Sequence, residues 1–246
     1  MHPIEIDGMP ADLGLLQERL TAEVGRVATF LASDGRVRGL DVHLKRLTRP
    51  SPDPLGPSVD PELIERAVRT FVRTHPGTLS VRVELFRAST DADERVLVMG
   101  REAEPSVDRR LRLLSLPSTS PMLGAGRRHA RAAGYSDVLQ HEADGTVSEC
   151  PSGAIGFLSH DRVIWPQTLT PSVERQLLHD QLRADGMSSA VLPVHVDDLQ
   201  LFDTGFVAGH HGISLVEAVD SITLSRDETD IAALRDAFAR IPWQTA

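Results

Sequence analysis

Lysine is almost missing from this chain. Of the 26 lysine and arginine residues among its 246, Lys45 is the single lysine. Chemistry that needs a side-chain amine to attack a carbonyl has no candidate after residue 45. Cysteine is equally scarce. Cys150 stands alone, which excludes an intrachain disulfide and a CxxC metal motif. No apolar run approaches the roughly 18–20 residues of a membrane span, so no membrane association is expected. The opening Met1-His2-Pro3-Ile4-Glu5 has no basic segment leading into an apolar one, so no secretory signal is read and a cytoplasmic location is the default. The net charge of -9 argues against a surface that coats nucleic acid. The preference for arginine over lysine fits a GC-rich coding sequence. Composition alone does not make the arginines anion clamps.

What remains is an ordinary globular chain, 41% apolar and long enough for a sizeable core or two modest ones. Residues 26–32 read as a strand, Ser33-Asp34-Gly35 as a hairpin turn, and Arg36-Val37-Arg38 as the return strand. Leu40, His43, Leu44 and Leu47 fall on one face of a helix. Residues 50–57 hold four prolines and read as a loop. Asp60-Pro61-Glu62 is a helix start, with an N-cap, a proline in the first turn and an acid near the positive helix end. Strands follow around 79–86, 96–99 and 111–116. Residues 116–126 are poor in charge and rich in Pro, Ser and Gly, the composition of a linker. Beyond them, 127–133 and 171–184 read as helices and 138–141, 146–149, 155–158, 163–165, 191–196, 205–208 and 221–224 as strands. A terminal helix runs from Arg226 to Ile241. Mixed elements in two blocks predict an α+β chain: a small N-terminal α/β domain over 1–116, a linker over 117–126, and a larger C-terminal α+β domain over 127–246.

Several ordered pieces carry a family likeness. Gly39-Leu40-Asp41-Val42-His43-Leu44-Lys45-Arg46-Leu47 resembles the HLxRL signature of class IV aminotransferases and aminodeoxychorismate lyases, the fold-type IV pyridoxal-phosphate enzymes. Ala133-Gly134-Tyr135-Ser136-Asp137 through Asp144-Gly145-Thr146-Val147-Ser148-Glu149 resembles their central segment, and Ile155-Gly156-Phe157 and Trp165-Pro166 follow at the family's distances. The likeness spans nearly the whole chain. It implies a two-domain fold-type IV architecture, a homodimer, and a cofactor between the domains.

In that family a lysine upstream of the central segment holds the cofactor as a Schiff base. Here the region reads Leu116-Pro117-Ser118-Thr119-Ser120-Pro121-Met122-Leu123-Gly124-Ala125-Gly126, and Ser120 falls at the lysine position. Two functional positions are kept. Arg46 matches the arginine that contacts the cofactor phosphate, and Glu149 matches the glutamate that pairs with the pyridine nitrogen. Others are lost. Ala154 replaces an asparagine, and Ser172-Val173-Glu174 replaces a phosphate-binding helix start. Ala208-Gly209-His210, followed by His211, replaces a Thr-Asn-Ser phosphate loop. Glu174 puts a carboxylate where free amides and the helix dipole favour an anion. Like unit charges ~5 Å apart cost about 3 kcal/mol at an effective dielectric near 20. These changes predict that no cofactor is bound, with covalent attachment of pyridoxal phosphate impossible.

The adopted expectation is therefore cofactor-independent chemistry on a small anionic molecule. Arg46 and Glu174 would bind it, Cys150 and Ala154 would line the site, and Glu149, His210, His211 and Ser120 are the candidate catalytic groups. A nucleophilic serine has no G-x-S-x-G elbow to sit on. Cys150, beside the acid Glu149, is expected to have a raised pKa and to act as a small core residue. Two histidines and Glu174 could ligate zinc or iron only if residues 210–211 form a turn, because adjacent strand residues face opposite ways. A structural histidine pair is the simpler reading. The alternatives are a non-catalytic regulatory homodimer and a lysine-free, non-covalent cofactor binder.

Overall fold

The computed structural model describes residues 3–49, 59–87, 94–103, 110–118, 123–160, 162–168, 171–224 and 228–246. The proline-rich stretch read as a loop over 50–57 lies outside them, as does Ser120. The chain divides into two units, residues 1–105 with 242–246, and residues 106–241.

The first unit holds β1 (Ile4–Ile6), β2 (Met9–Pro10), α1 (Leu13–Thr21), β3 (Glu23–Ser33), β4 (Arg36–Arg38), α2 (Leu40–Thr48), α3 (Pro61–Thr74), β5 (Thr78–Arg87) and β6 (Glu94–Glu102). Local chemistry sets most of these boundaries. Asp34 and Gly35 both adopt positive φ, 47° and 77°, which a two-residue hairpin turn requires. The Asp60 side chain caps α3 by accepting from the Glu62 N–H, and Pro61 follows. Leu40, His43, Leu44 and Leu47 are the buried face of α2, as their spacing predicts, and Lys45 is exposed. The three leucines pack with Phe30, Ile64, Val68 and Phe71 into the core of this unit.

The second unit holds β7 (Arg110–Pro117), α4 (Leu123–Ala132), β8 (Asp137–His141), β9 (Val147–Glu149), β10 (Ala154–Ser159), β11 (Arg162–Pro166), α5 (Val173–Ala184), β12 (Ser188–Leu192), a 3₁₀ helix (Val196–Leu201), β13 (Thr204–Gly209), β14 (Gly212–Val219), β15 (Ile222–Thr223) and α6 (Glu228–Arg240). Its sheet runs β12-β11-β10-β13-β14-β7-β8-β9, with β15 on β14. One apolar cluster gathers Trp165, Leu178, Leu182, Phe206, Ile231 and Leu234, uniting α5 and α6 with the strands. Another gathers Leu113, Leu139, Val147, Cys150, Phe157 and Val207. The last strand, β16 (Trp243–Thr245), pairs with β4, so the first unit's sheet reads β16-β4-β3-β5-β6-β1-β2.

The α+β class holds, and the division differs from the boundaries read off composition. Composition places β7 in the small domain, but it pairs in parallel with β14 and β8 and belongs to the second unit. Residues 117–126 are not a linker throughout, since α4 begins at Leu123. The C-terminal residues return to the first unit. Parallel pairing between distant segments leaves no local signature, which is why composition puts the break too late. No helix among the described residues is long and apolar enough to cross a membrane.

Phe206 is fully buried, with its ring edge-on to Trp165 at 5.3 Å. Its replacement by alanine removes the centre of the α5–α6 core. Phe206→Ala should cost about 3–5 kcal/mol, read as a lower urea midpoint at unchanged m-value.

Candidate functional site

Strand register brings several candidate positions to one end of the second sheet. Ala154 opposes Ala208, and Gly209 opposes Gly212 across the next hairpin. Phe157 opposes Ile164, which sets Pro166 at the same end. The first turn of α5 reaches this end too, since Arg175 Nη1 donates to the Pro166 carbonyl at 2.9 Å. The turn after Glu149, the histidine pair and Glu174 therefore share one edge of the unit. Arg46 is half-buried on α2 in the first unit.

The turn after Glu149 is tightly held. Gly153 N–H donates to the Cys150 carbonyl at 3.0 Å, and Pro151 fixes a backbone angle between them. Gly153 sits at φ 155°, and a Cβ there would run into the backbone of Ala208. A Cβ on Gly209 would lie 2.6 Å from the Ser152 carbonyl oxygen. Two glycines thus let two backbones touch. The Ser152 hydroxyl donates to Asp137 Oδ2, which fastens the turn to β8. Arg127 Nε lies 2.9 Å from Asp137 Oδ1 and supplies the countercharge to a carboxylate only 1% exposed.

This cluster revises the reading of Cys150. The thiol is buried and free, and its pKa is pushed up to about 12, first by burial and then by the Asp137 charge. The rise agrees with the sequence reading, but its source differs. Glu149 is exposed at the end of β9, and the buried acid is Asp137. Asp137 comes next to the thiol through β8–β9 pairing, a contact the linear sequence does not show.

His210 and His211 form the two-residue turn between β13 and β14, both half-buried, with ring centroids 3.9 Å apart. The turn required for joint ligation is present. Even so, no group of three or more His, Cys, Asp or Glu among the described residues is arranged to hold a metal ion. His195 is a structural clasp. Its Nδ1 accepts from Asp197 N–H at 3.2 Å, so Nε2 carries the proton and donates to the Asp144 carbonyl at 2.5 Å.

At the start of α5, Ser172 is the N-cap and its hydroxyl accepts from Arg175 N–H. The first-turn amides ahead of Arg175 have no intrahelical acceptor, as at any helix start. Glu174 is half-buried and partnered. Sequence reading missed Arg127, Asp137, Ser152 and Arg175. An arginine in a first helical turn, where the dipole disfavours a cation, was the one visible signal.

The amino-transferase class IV family model matches residues 122–213. A fold IV-transaminase from Curtobacterium pusillum superposes with TM-score 0.80 at 19% identity, covering 97% of this chain and 98% of that one. A hypothetical aminotransferase from Mycobacterium tuberculosis in its PLP-bound form gives 0.78 at 18%, covering 96% and 98%. Its alpha-ketoglutarate and PMP bound form gives 0.75 at 20%, covering 94% of each. No curated protein matches the sequence. The resemblance to class IV aminotransferases holds, and the fold is fold-type IV. The expectation of no cofactor is overturned by the same comparison, because proteins of this fold are seen with PLP and with PMP. That expectation lets the Glu174 carboxylate outweigh the helix-start amides and the dipole, which favour an anion at the same place.

The Cys150 thiol should resist alkylation at pH 8 in the native chain and react fully in denaturant. Because its folded pKa of about 12 lies above the ordinary 9.0, the contribution to stability is complete below pH 9 and is lost as pH rises toward 12. Melting curves of wild type and Cys150→Ala should then converge between pH 8 and about 10.5. A constant gap would sink this account.

Proposed function

We propose that this chain, built on the class IV aminotransferase fold, holds pyridoxal phosphate or pyridoxamine phosphate without a covalent link. The observation that carries the reading is the helix start of α5. Its first-turn amides stand at the sheet end where the Glu149 turn meets the β13–β14 hairpin. A phosphate is favoured there by the amides and by the helix dipole. The cofactor-independent chemistry expected from the sequence gives way to this reading.

Such a group, when bound, supplies an electron-withdrawing ring for chemistry at an amine carbon. The chain's own contribution differs from that of a transaminase. Lys45 is exposed on α2 and is the only lysine, so there is no side-chain amine to tether the group or to carry protons at the reacting carbon. Glu149 presents its carboxylate from the end of β9, held in place by the locked turn behind it, and suits a ring nitrogen that needs an anionic partner. The imidazoles of His210 and His211, their ring centroids 3.9 Å apart, stand at the same sheet end as candidate proton-transfer groups. The substrate class is a small anionic amino or oxo compound, and a homodimer of twice the chain mass is the expected assembly by light scattering.

Titration of the purified chain with pyridoxal phosphate should give saturable binding by calorimetry and absorbance. Borohydride treatment should leave the intact protein mass unchanged. Glu149→Gln should shift the absorbance band of the bound ligand. No saturable binding, or a reduced adduct on Lys45, would overturn the proposal.

A further inference from the structure

Arg175 is the third residue of α5 and is only 8% exposed. Its surroundings are neutral. Nη1 donates to the Pro166 carbonyl at 2.9 Å and to Thr168 Oγ1 at 3.1 Å, and the guanidinium carbon lies 5.8 Å from the Trp165 ring centroid. No carboxylate among the described residues pairs with it. Burial lowers its pKa and no acidic neighbour offsets that effect. Glu174 precedes it, but consecutive side chains on a helix point apart. The charge therefore sits buried, at the positive end of a helix, without a counterion among the described residues. Each of these three features is unfavourable for a cation.

The guanidinium also has an open edge. Nε and Nη2 have no protein acceptor among the described residues, yet neither is sealed off from solvent. A planar pair of N–H donors with unbalanced charge matches two oxygens of one anion. We infer that Arg175 is an anion-contacting residue and that its open edge takes the phosphate monoester of a pyridoxal-type ligand, beside the first-turn amides of α5. The inference rests on the cofactor reading above. It also accounts for Glu174, whose repulsion of a phosphate is offset by the neighbouring cation. Pro166 and Thr168 hold one edge of the guanidinium and leave the other to the ligand.

The test compares pyridoxal phosphate, pyridoxal and inorganic phosphate as probes on wild type, Arg175→Gln, Arg175→Lys and Glu174→Gln, each first checked for folding by circular dichroism. Arg175→Gln should weaken pyridoxal phosphate at least tenfold and leave pyridoxal within twofold. Arg175→Lys, which keeps the charge and loses the fork, should fall between. Glu174→Gln should tighten the phosphate ester several-fold. Pyridoxal phosphate bound equally by wild type and a folded Arg175 variant overturns this inference and leaves the cofactor reading standing. If wild type binds no pyridoxal phosphate, that reading fails, and inorganic phosphate decides the inference alone. A phosphate-dependent rise in Tm in wild type that is smaller in Arg175→Lys supports the anion site, and an equal rise in both overturns it. No rise in wild type overturns it. Where Arg175→Gln does not fold, the lysine variant and the wild-type phosphate melt decide between the two outcomes.

Discussion

Two backbones pressed together organise the functional end of the second unit. The Ser152–Gly153 turn and the Ala208–Gly209 segment approach so closely that neither glycine has room for a Cβ. Such contact is available only to glycine, and it joins the turn behind Glu149 to the strand leading into the histidine pair. β10 begins and β13 ends at this seam, so their ladder from Ala154 to Leu158 registers both sides of the site at once. Fixing the seam fixes where Glu149 leaves its strand and where His210 begins its turn. Neither residue has to hold its own backbone in place.

Two buried charges near this end are treated in opposite ways. Asp137 is matched by Arg127 and by the Ser152 hydroxyl, so its charge ties α4, β8 and the turn together. It raises the Cys150 thiol as a by-product and makes that sulfur a core residue. Arg175 is also buried and has only neutral partners among the described residues. A structural arginine at a helix start would be expected to come with an acid. Burial does not distinguish the two groups, since both are buried, and the presence or absence of a matching ion does.

Much of the fold was legible where chemistry is local. The Asp34-Gly35 turn, the Asp60-Pro61 helix start and the apolar stripe of α2 all fall where residue type and spacing put them. β14 does not read as a strand in the sequence, because the glycines and histidines at its entrance look like a loop. Its pairing with the distant β7 is hidden with it, and the apparent domain break moves accordingly. The site was legible in its family-like outline and obscure in its electrostatics. Glu149 and Cys150 are adjacent in sequence, yet the acid that acts on the thiol is Asp137, brought there by strand pairing. Arg175 escapes notice because its one signal, a cation in a first helical turn, is weak in an arginine-rich chain until its partners are known.

On the proposed reading, the lack of any lysine beyond Lys45 changes what the remaining residues must do. Where a cofactor is tethered by a covalent bond, the phosphate site needs only to orient it. Without a tether, affinity rests on the anion contacts and the ring partner alone, and each loses any support from the bond. A carboxylate at the helix start is then tolerable only if a cation stands close by to balance it. Arg175 has the charge, the open donors and the position for that task, and the helix amides beside it act in the same direction. Glu174 and Arg175 are best understood together: the acid raises the demand on the anion site, and the buried guanidinium behind it meets that demand.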